Sequence, residues 1–257
     1  MGKLSLTLAL AAAAYAQGPT VPPPLVQITC KRGDSGGPTR PYGRAKAGVN
    51  VVGLSAATGL PQTWMLELHD TFASIEDLDR ALIATEPERQ PGDSAGQQDR
   101  VAPRTMIAVY QEEWSYLPAD AIRLLAKARW VSVTIHHIHV GLEGDFEELV
   151  RLRKLINDSV NLDRPELAYH VIFGAPSGTY LVLAPLTSLR VMDEGVAEVP
   201  TVAAGVAEAR AKAAPKTADI EISREHLLFR VEPRLSYVSD DFAASDQAFW
   251  RGKPSGQ

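Results

Sequence analysis

Apolar and polar positions recur along the chain with two periods, and the change from one to the other marks its elements. Leu25 to Lys31 (LVQITCK) alternates with period two and predicts a strand. Val49 to Leu54 and Thr63 to Leu68 are apolar runs joined by SAATGLPQ, whose Gly59 and Pro61 mark a turn, so they predict an antiparallel hairpin. Ser74-Ile-Glu-Asp77 has the form of a capping box, and Ile75, Leu78 and Leu82 then share one helical face. Thr105 to Tyr110 predicts the next strand, and a short helix begins at Pro118.

The succession then recurs. Trp130 to Val140 predicts a strand, Gly144-Asp-Phe-Glu-Glu148 a second capping box with Asp145 as cap, and Phe146, Leu149, Leu152 and Ile156 the buried face of a helix. Leu167 to Phe173 and Thr179 to Ala184 form a hairpin around Ala-Pro-Ser-Gly178. An Ala-rich stretch near Ala203 to Ala213 predicts a helix, and His226 to Val231 the last strand. Thr63 to Leu68 aligns with Thr179 to Ala184 at an offset of 116 residues, 179 minus 63. Met106-Ile-Ala and Ser115-Tyr116 align with Leu227-Leu-Phe and Ser236-Tyr237 at an offset of 121. A duplicated β-α-β-β-α-β unit accounts for both, with halves at 25–125 and 126–257. The leading helix of the first half is shortened or lost in the Gly- and Pro-rich loop at residues 33 to 48.

The first residues carry a different signal. Lys3, the apolar run Leu4 to Ala14 and the small-x-small site Ala14-Tyr15-Ala16 read as a signal peptide over residues 1–16, cleaved before Gln17. Residues 17–24, with Gly18 to Pro24 reading GPTVPPP, follow as a Pro-rich linker. The apolar run is shorter than the roughly 20 residues of a membrane span, so the expected location is secreted or periplasmic. Hydrophobic residues at 45% and charged residues at 22% belong to a globular chain. The formal charge of -5 supplies no basic field for nucleic acid, so none is expected as a partner. A single cysteine, Cys30, excludes an intramolecular disulfide and a CxxC pair.

Two β-α-β-β-α-β halves in one chain resemble the dimeric α+β barrel superfamily. More narrowly, Pro22-Pro-Pro-Leu25, Trp64-Met-Leu-Glu-Leu68 and Asp246-Gln-Ala-Phe-Trp250 resemble the start, first hairpin and ending of uncharacterised exported bacterial proteins. The resemblance implies an α+β fold: two tandem ferredoxin-like halves whose sheets form an intramolecular barrel. That superfamily includes cofactor-free monooxygenases, isomerases, haem enzymes and proteins without known activity, so the fold selects none of them.

Candidate chemistry is sparse. Gly33-Asp-Ser-Gly-Gly-Pro38 has the letters around a chymotrypsin-like nucleophile, but no histidine precedes Ser35 in the mature chain, so a protease triad is not expected. In His136-His137-Ile138-His139, alternation places His137 and His139 on one face of a strand, where they could ligate a divalent metal with His170 as third ligand. Trp64, Trp114, Tyr116, Trp130, Tyr180, Tyr237 and Trp250 read mostly as core. Some of them, lining a barrel interior, would make an apolar pocket in which Trp64 and Tyr180 pack a ligand and Glu67 or His170 orients it. Cys30 reads as a small buried side chain, and Asn157-Asp-Ser159 is a glycosylation sequon.

The expected function is therefore an exported globular protein that is non-catalytic or binds a small apolar ligand, with no cofactor. An α+β barrel enzyme of the cofactor-free monooxygenase or isomerase kind is the alternative, and a histidine-based metal protein is the second.

Overall fold

Eight strands follow the period-two segments of the sequence, and in the computed structural model they close into one barrel. The structure describes residues 19–33, 48–84, 102–197, 208, 211 and 219–252. The strands are β1 Leu25–Arg32, β2 Asn50–Ala56, β3 Gln62–His69, β4 Arg104–Tyr110, β5 Trp130–Ile138, β6 Leu167–Phe173, β7 Thr179–Leu186 and β8 Glu221–Val231. Helix α1 (Phe72–Ile83) joins β3 to β4, α2 (Pro118–Leu125) precedes β5, α3 (Glu143–Ser159) joins β5 to β6, and α4 (Arg190–Ala197) follows β7. Two short helices, α5 (Asp240–Ala243) and α6 (Gln247–Arg251), end the described chain.

Around the barrel the order is β1-β3-β2-β8-β5-β7-β6-β4, with β4 returning to β1 and every pair antiparallel. Within it, β4-β1-β3-β2 and β8-β5-β7-β6 follow the same rule, the first strand lying between the third and the fourth. Closure leaves no strand edge unpaired among the described strands.

Alternation decides what fills the interior. Val26 and Ile28, Val52 and Leu54, Trp64 and Leu66, Met106 and Ala108, Val131 and Val133, Leu167 and Tyr169, Leu181 and Leu183, and Phe229 and Val231 form one buried cluster drawn from all eight strands. Trp64 packs on Phe229 with centroids 4.8 Å apart, so the middle of the barrel is filled. One end is plugged: Ile122 and Leu125 of α2, Phe242 of α5 and Trp250 of α6 join the same cluster. The Trp250 indole donates to the Ala126 carbonyl at 2.7 Å. Asp246 caps α6, accepting from Phe249 N at 3.2 Å, and pairs with Arg129, whose guanidinium lies 3.7 Å from the Phe249 ring centroid. The Asp246-to-Trp250 run is thus the plug's latch. At the same end Tyr169 donates to the Pro23 carbonyl and Tyr110 N to that of Pro24, so the described part of residues 17–24 is docked on the barrel.

Close approach requires glycine at several positions, Gly53 and Gly178 among them. Gly53 has no room for a Cβ, which would lie 2.4 Å from Leu235 Cβ. Gly178, at φ 76°, ends the β6–β7 turn against the Ile138 carbonyl, 2.5 Å from where a Cβ would sit.

Several boundaries differ from the sequence expectation. Thr71 caps α1, accepting from Ser74 N at 3.2 Å, and Ser74 instead donates to the Thr71 carbonyl. Helix α3 begins two residues before Asp145, which therefore lies in its first turn. The helix after β7 starts at Arg190, and Ala203 to Ala213 lies outside the described residues except at 208 and 211. The proposed signal segment 1–16 and Ser35 also lie outside them.

Candidate functional site

Helices α1 and α3 cover the outer faces of the two parts of the barrel, and a cavity lies between α3 and its strands. Phe146, Leu149, Leu152 and Ile156, the apolar face expected for this helix, line a cavity of about 350 Å³ between α3 and β5, β7 and β6. Its wall is aromatic: Trp114 contacts Tyr180 and Phe146 at centroid distances of 4.4 and 5.4 Å, and Phe146 stacks on Tyr180 at 5.4 Å. A volume in this range holds a small molecule, with few polar groups to orient it.

Those polar groups come from β5 and the start of β8. In the β5–β8 ladder His136 faces Arg224 and Ile138 faces Glu221, leaving Ile222 as the extra residue of a bulge. The bulge brings the Glu221 carboxylate to His136 Nδ1 at 2.6 Å. Arg224 Nε donates to the same carboxylate oxygen at 3.2 Å, and its Nη2 pairs with the other. His136 is 6% exposed and its ring lies 5.3 Å from Phe146. Burial pushes the imidazole below its ordinary pKa, more than the Glu221 carboxylate restores, and Arg224 and Arg153 push the same way. For Glu221, burial acts to raise the carboxyl, but the bonds from His136 and Arg224 outweigh it and hold the group below its usual range. A neutral imidazole donating Nδ1–H to an ionised carboxylate follows, which leaves Nε2 as the acceptor.

Arg153 of α3 also lines the cavity. Its Nη2 lies 2.9 Å from Glu166 Oε2, an ion pair by distance but out of line for a hydrogen bond, so Arg153 Nε and Nη2 have no hydrogen-bond partner. A cation with unsatisfied N–H groups therefore stands near an imidazole that can accept a proton.

The residues expected from sequence are dispersed. Trp64 points into the barrel, whereas Tyr180 is in the aromatic wall outside it. The two strands are placed alike, but the aromatics are not equivalent, because their alignment is one residue off the side-chain alternation and a one-residue slip changes face. Glu67 lies on the outer face under α1, in a separate cluster. His170 stacks on Tyr180 at 4.6 Å, and burial lowers its pKa. A pocket combining Trp64, Glu67, His170 and Tyr180 is therefore not formed; only His170 and Tyr180 are together.

Nor do His137, His139 and His170 converge. His137 is opposite Thr179 and His170 opposite Tyr180; adjacent residues of β7 face opposite ways, so these histidines lie on opposite faces of the sheet. His139 lies past the end of β5 and is exposed. Among the described residues no group of three or more His, Cys, Asp or Glu side chains could hold a metal ion. Cys30 is half-buried, and burial pushes its thiol up to about 12, away from nucleophilic chemistry.

Sequence reasoning placed His136 in the histidine run without a site role, and did not single out Glu221, Arg224 or Arg153. The available signal was the single histidine left facing the other way in HHIH; its carboxylate partner is 85 residues away and found only by strand pairing.

No family model matches the chain, and no curated protein matches it. Solved structures similar to it include a candidate monooxygenase from Fusobacterium nucleatum subsp. nucleatum, at 7% identity and a TM-score of 0.48, covering 82% of this chain and 93% of that one. An anthrone oxidase-like protein gives 9% identity and 0.48, covering 81% and 91%. A mutant chlorite dismutase from Candidatus Nitrospira defluvii gives 10% identity and 0.47, covering 83% and 93%.

Proposed function

We propose that the cavity under α3 binds a small, largely apolar ligand bearing an acidic C–H or phenolic O–H, and that His136 takes that proton. The observation that carries this is the 2.6 Å bond from His136 Nδ1 to Glu221 in the wall of an apolar cavity. A carboxylate that fixes the tautomer and orientation of an imidazole makes its other nitrogen a directed base. Proton transfer to Nε2 leaves the electron pair on the ligand as an enolate or phenolate, whose charge Arg153 stabilises. Return of the proton at another carbon completes an isomerisation; attack on dioxygen, as co-substrate, would begin a cofactor-free oxygenation. A passive binding protein is the second reading, favoured by the predominance of aromatic and aliphatic side chains around the cavity.

Hydrogen exchange separates the two. Enolisable aryl ketones incubated with the protein in D2O and followed by NMR are expected to exchange their acidic C–H. The exchange rate should fall about 10²- to 10⁴-fold in His136→Gln, with affinity, read from Trp114 quenching, within a few-fold. Binding without exchange would leave the passive reading; exchange undiminished in His136→Gln would remove the base from the proposal.

Two further parts of this reading concern the whole chain. The matching strand orders support descent of β1–β4 and β5–β8 from one ferredoxin-like unit. Lys3, the apolar run and Ala14-Tyr15-Ala16 support export with cleavage after Ala16, which mass spectrometry of the mature protein tests.

A further inference from the structure

Among the described residues the barrel end opposite the plug is open, and its chemistry differs from that under α3. There the interior widens into a second cavity of about 560 Å³. Its inner surface is apolar, formed by Trp64, Met106, Leu181 and Leu227. Its rim is charged and asymmetric. Arg32 of β1 and Arg104 of β4 stand on one wall; Cys30 pairs with Arg104 in the ladder and Arg32 follows two residues on, so both cations lie on the Cys30 side. Arg104 Nε donates to the Gly174 carbonyl at 2.8 Å, which fixes the guanidinium at the rim. Among the described residues neither arginine has a carboxylate partner.

The facing wall carries His137 and Glu225. The Thr179 hydroxyl donates to the Pro176 carbonyl at 2.6 Å, so it accepts from His137 Nδ1 at 3.0 Å, which leaves His137 Nε2 as an acceptor. Among the described lining residues two arginines and one glutamate give a formal charge of +1, opposite in sign to a carboxylate. The unmet guanidinium N–H groups suit the two oxygens of a carboxylate, and the apolar surface behind them suits a hydrocarbon body.

We infer that the open end of the barrel is a binding site for an amphipathic monocarboxylate, with the carboxylate on Arg32 and Arg104 and the apolar body inside against Trp64. The site is separate from the cavity under α3, which lies on the outer surface of the same wall. Neither reading depends on the other.

Calorimetric titration with decanoate and with decan-1-ol tests the site. Decanoate is expected to bind one per chain, about 10- to 100-fold tighter than the alcohol, the range of charge-assisted hydrogen bonds. The Arg32→Gln, Arg104→Gln double variant should lose that advantage. Arg104 also supports the β6–β7 turn, so Arg32→Gln alone, at a side chain with no hydrogen bond among the described residues, should lose part of it with the fold intact. Leu149→Trp, which fills the cavity under α3, should leave decanoate binding unchanged. Absence of binding, equal affinity for acid and alcohol, an advantage that survives the double variant, or loss of binding in Leu149→Trp would each overturn the inference.

Discussion

The outer faces under α1 and α3 pose the same problem and solve it differently. Both parts of the barrel place a glutamate and a histidine on the helix-covered side. Under α1, Val51, Met65, Leu78 and Leu82 close the space, and Glu67, fully buried, accepts from Gln27 Nε2 at 2.9 Å. His69, also fully buried, is 3.5 Å from Glu67 and bonds to Ser74 at 3.0 Å. Neither Glu67 nor His69 lines the cavity under α3. Under α3 the leucines line a cavity instead of closing it, and the His136–Glu221 pair forms part of its wall. A buried carboxylate and imidazole serve structure where the helix is seated, and can serve chemistry where it is not.

The largest effect should come from the seated side. Glu67→Ala leaves the buried Gln27 amide without its acceptor and removes the carboxylate beside His69, and is expected to cost about 2–4 kcal/mol in denaturant unfolding. Glu221→Ala, beside a cavity and partly exposed Arg224, should cost less and should act mainly on proton exchange. Equal stability losses would erase the distinction between the faces.

Next in size is a pair of insertions. Leu78→Trp overpacks a closed face and should cost about 1–3 kcal/mol, whereas Leu149→Trp has an empty volume to enter and should change stability by less than about 1 kcal/mol. The same Leu149→Trp protein should lose ligand binding under α3. Thermal unfolding and Trp114 quenching read both outcomes.

A smaller effect is expected from acid. Burial holds the folded pKa of His136 below the ordinary value of 6.5, so the folded protein binds that proton less well than the unfolded chain. Its contribution to stability is whole above about pH 6.5 and is lost as pH falls through the depressed folded value. Glu221 is held low and stays ionised across that interval. His170, also depressed, adds a slope of the same sign, so His136→Gln should reduce the loss of stability between about pH 6.5 and 5 without abolishing it.

Surface charge should separate the helices least. Arg80 pairs with Glu76 and Asp77 on α1, and Arg151 with Glu147 on α3, each arginine being more than half exposed. Arg80→Ala and Arg151→Ala should each cost about 0.5 kcal/mol or less. A larger loss in one would mean that surface pairing, and not packing, sets how that helix sits.

The sequence by itself determined the strands, both hairpins and the apolar face of α3, because these follow from local periods of two and 3.6 and from turn residues. It located Phe146, Leu149, Leu152 and Ile156, and could not say that they would face empty space, since a helix carries the same apolar stripe whether or not it is seated. Pairing decided the rest. Which face of β7 meets which histidine separated His137 from His170, and one bulged residue, Ile222, brought Glu221 to His136. Contacts between residues 85 positions apart have no local signature. They exist only once the barrel closes, because closure fixes strand register, and register fixes the face on which each side chain acts.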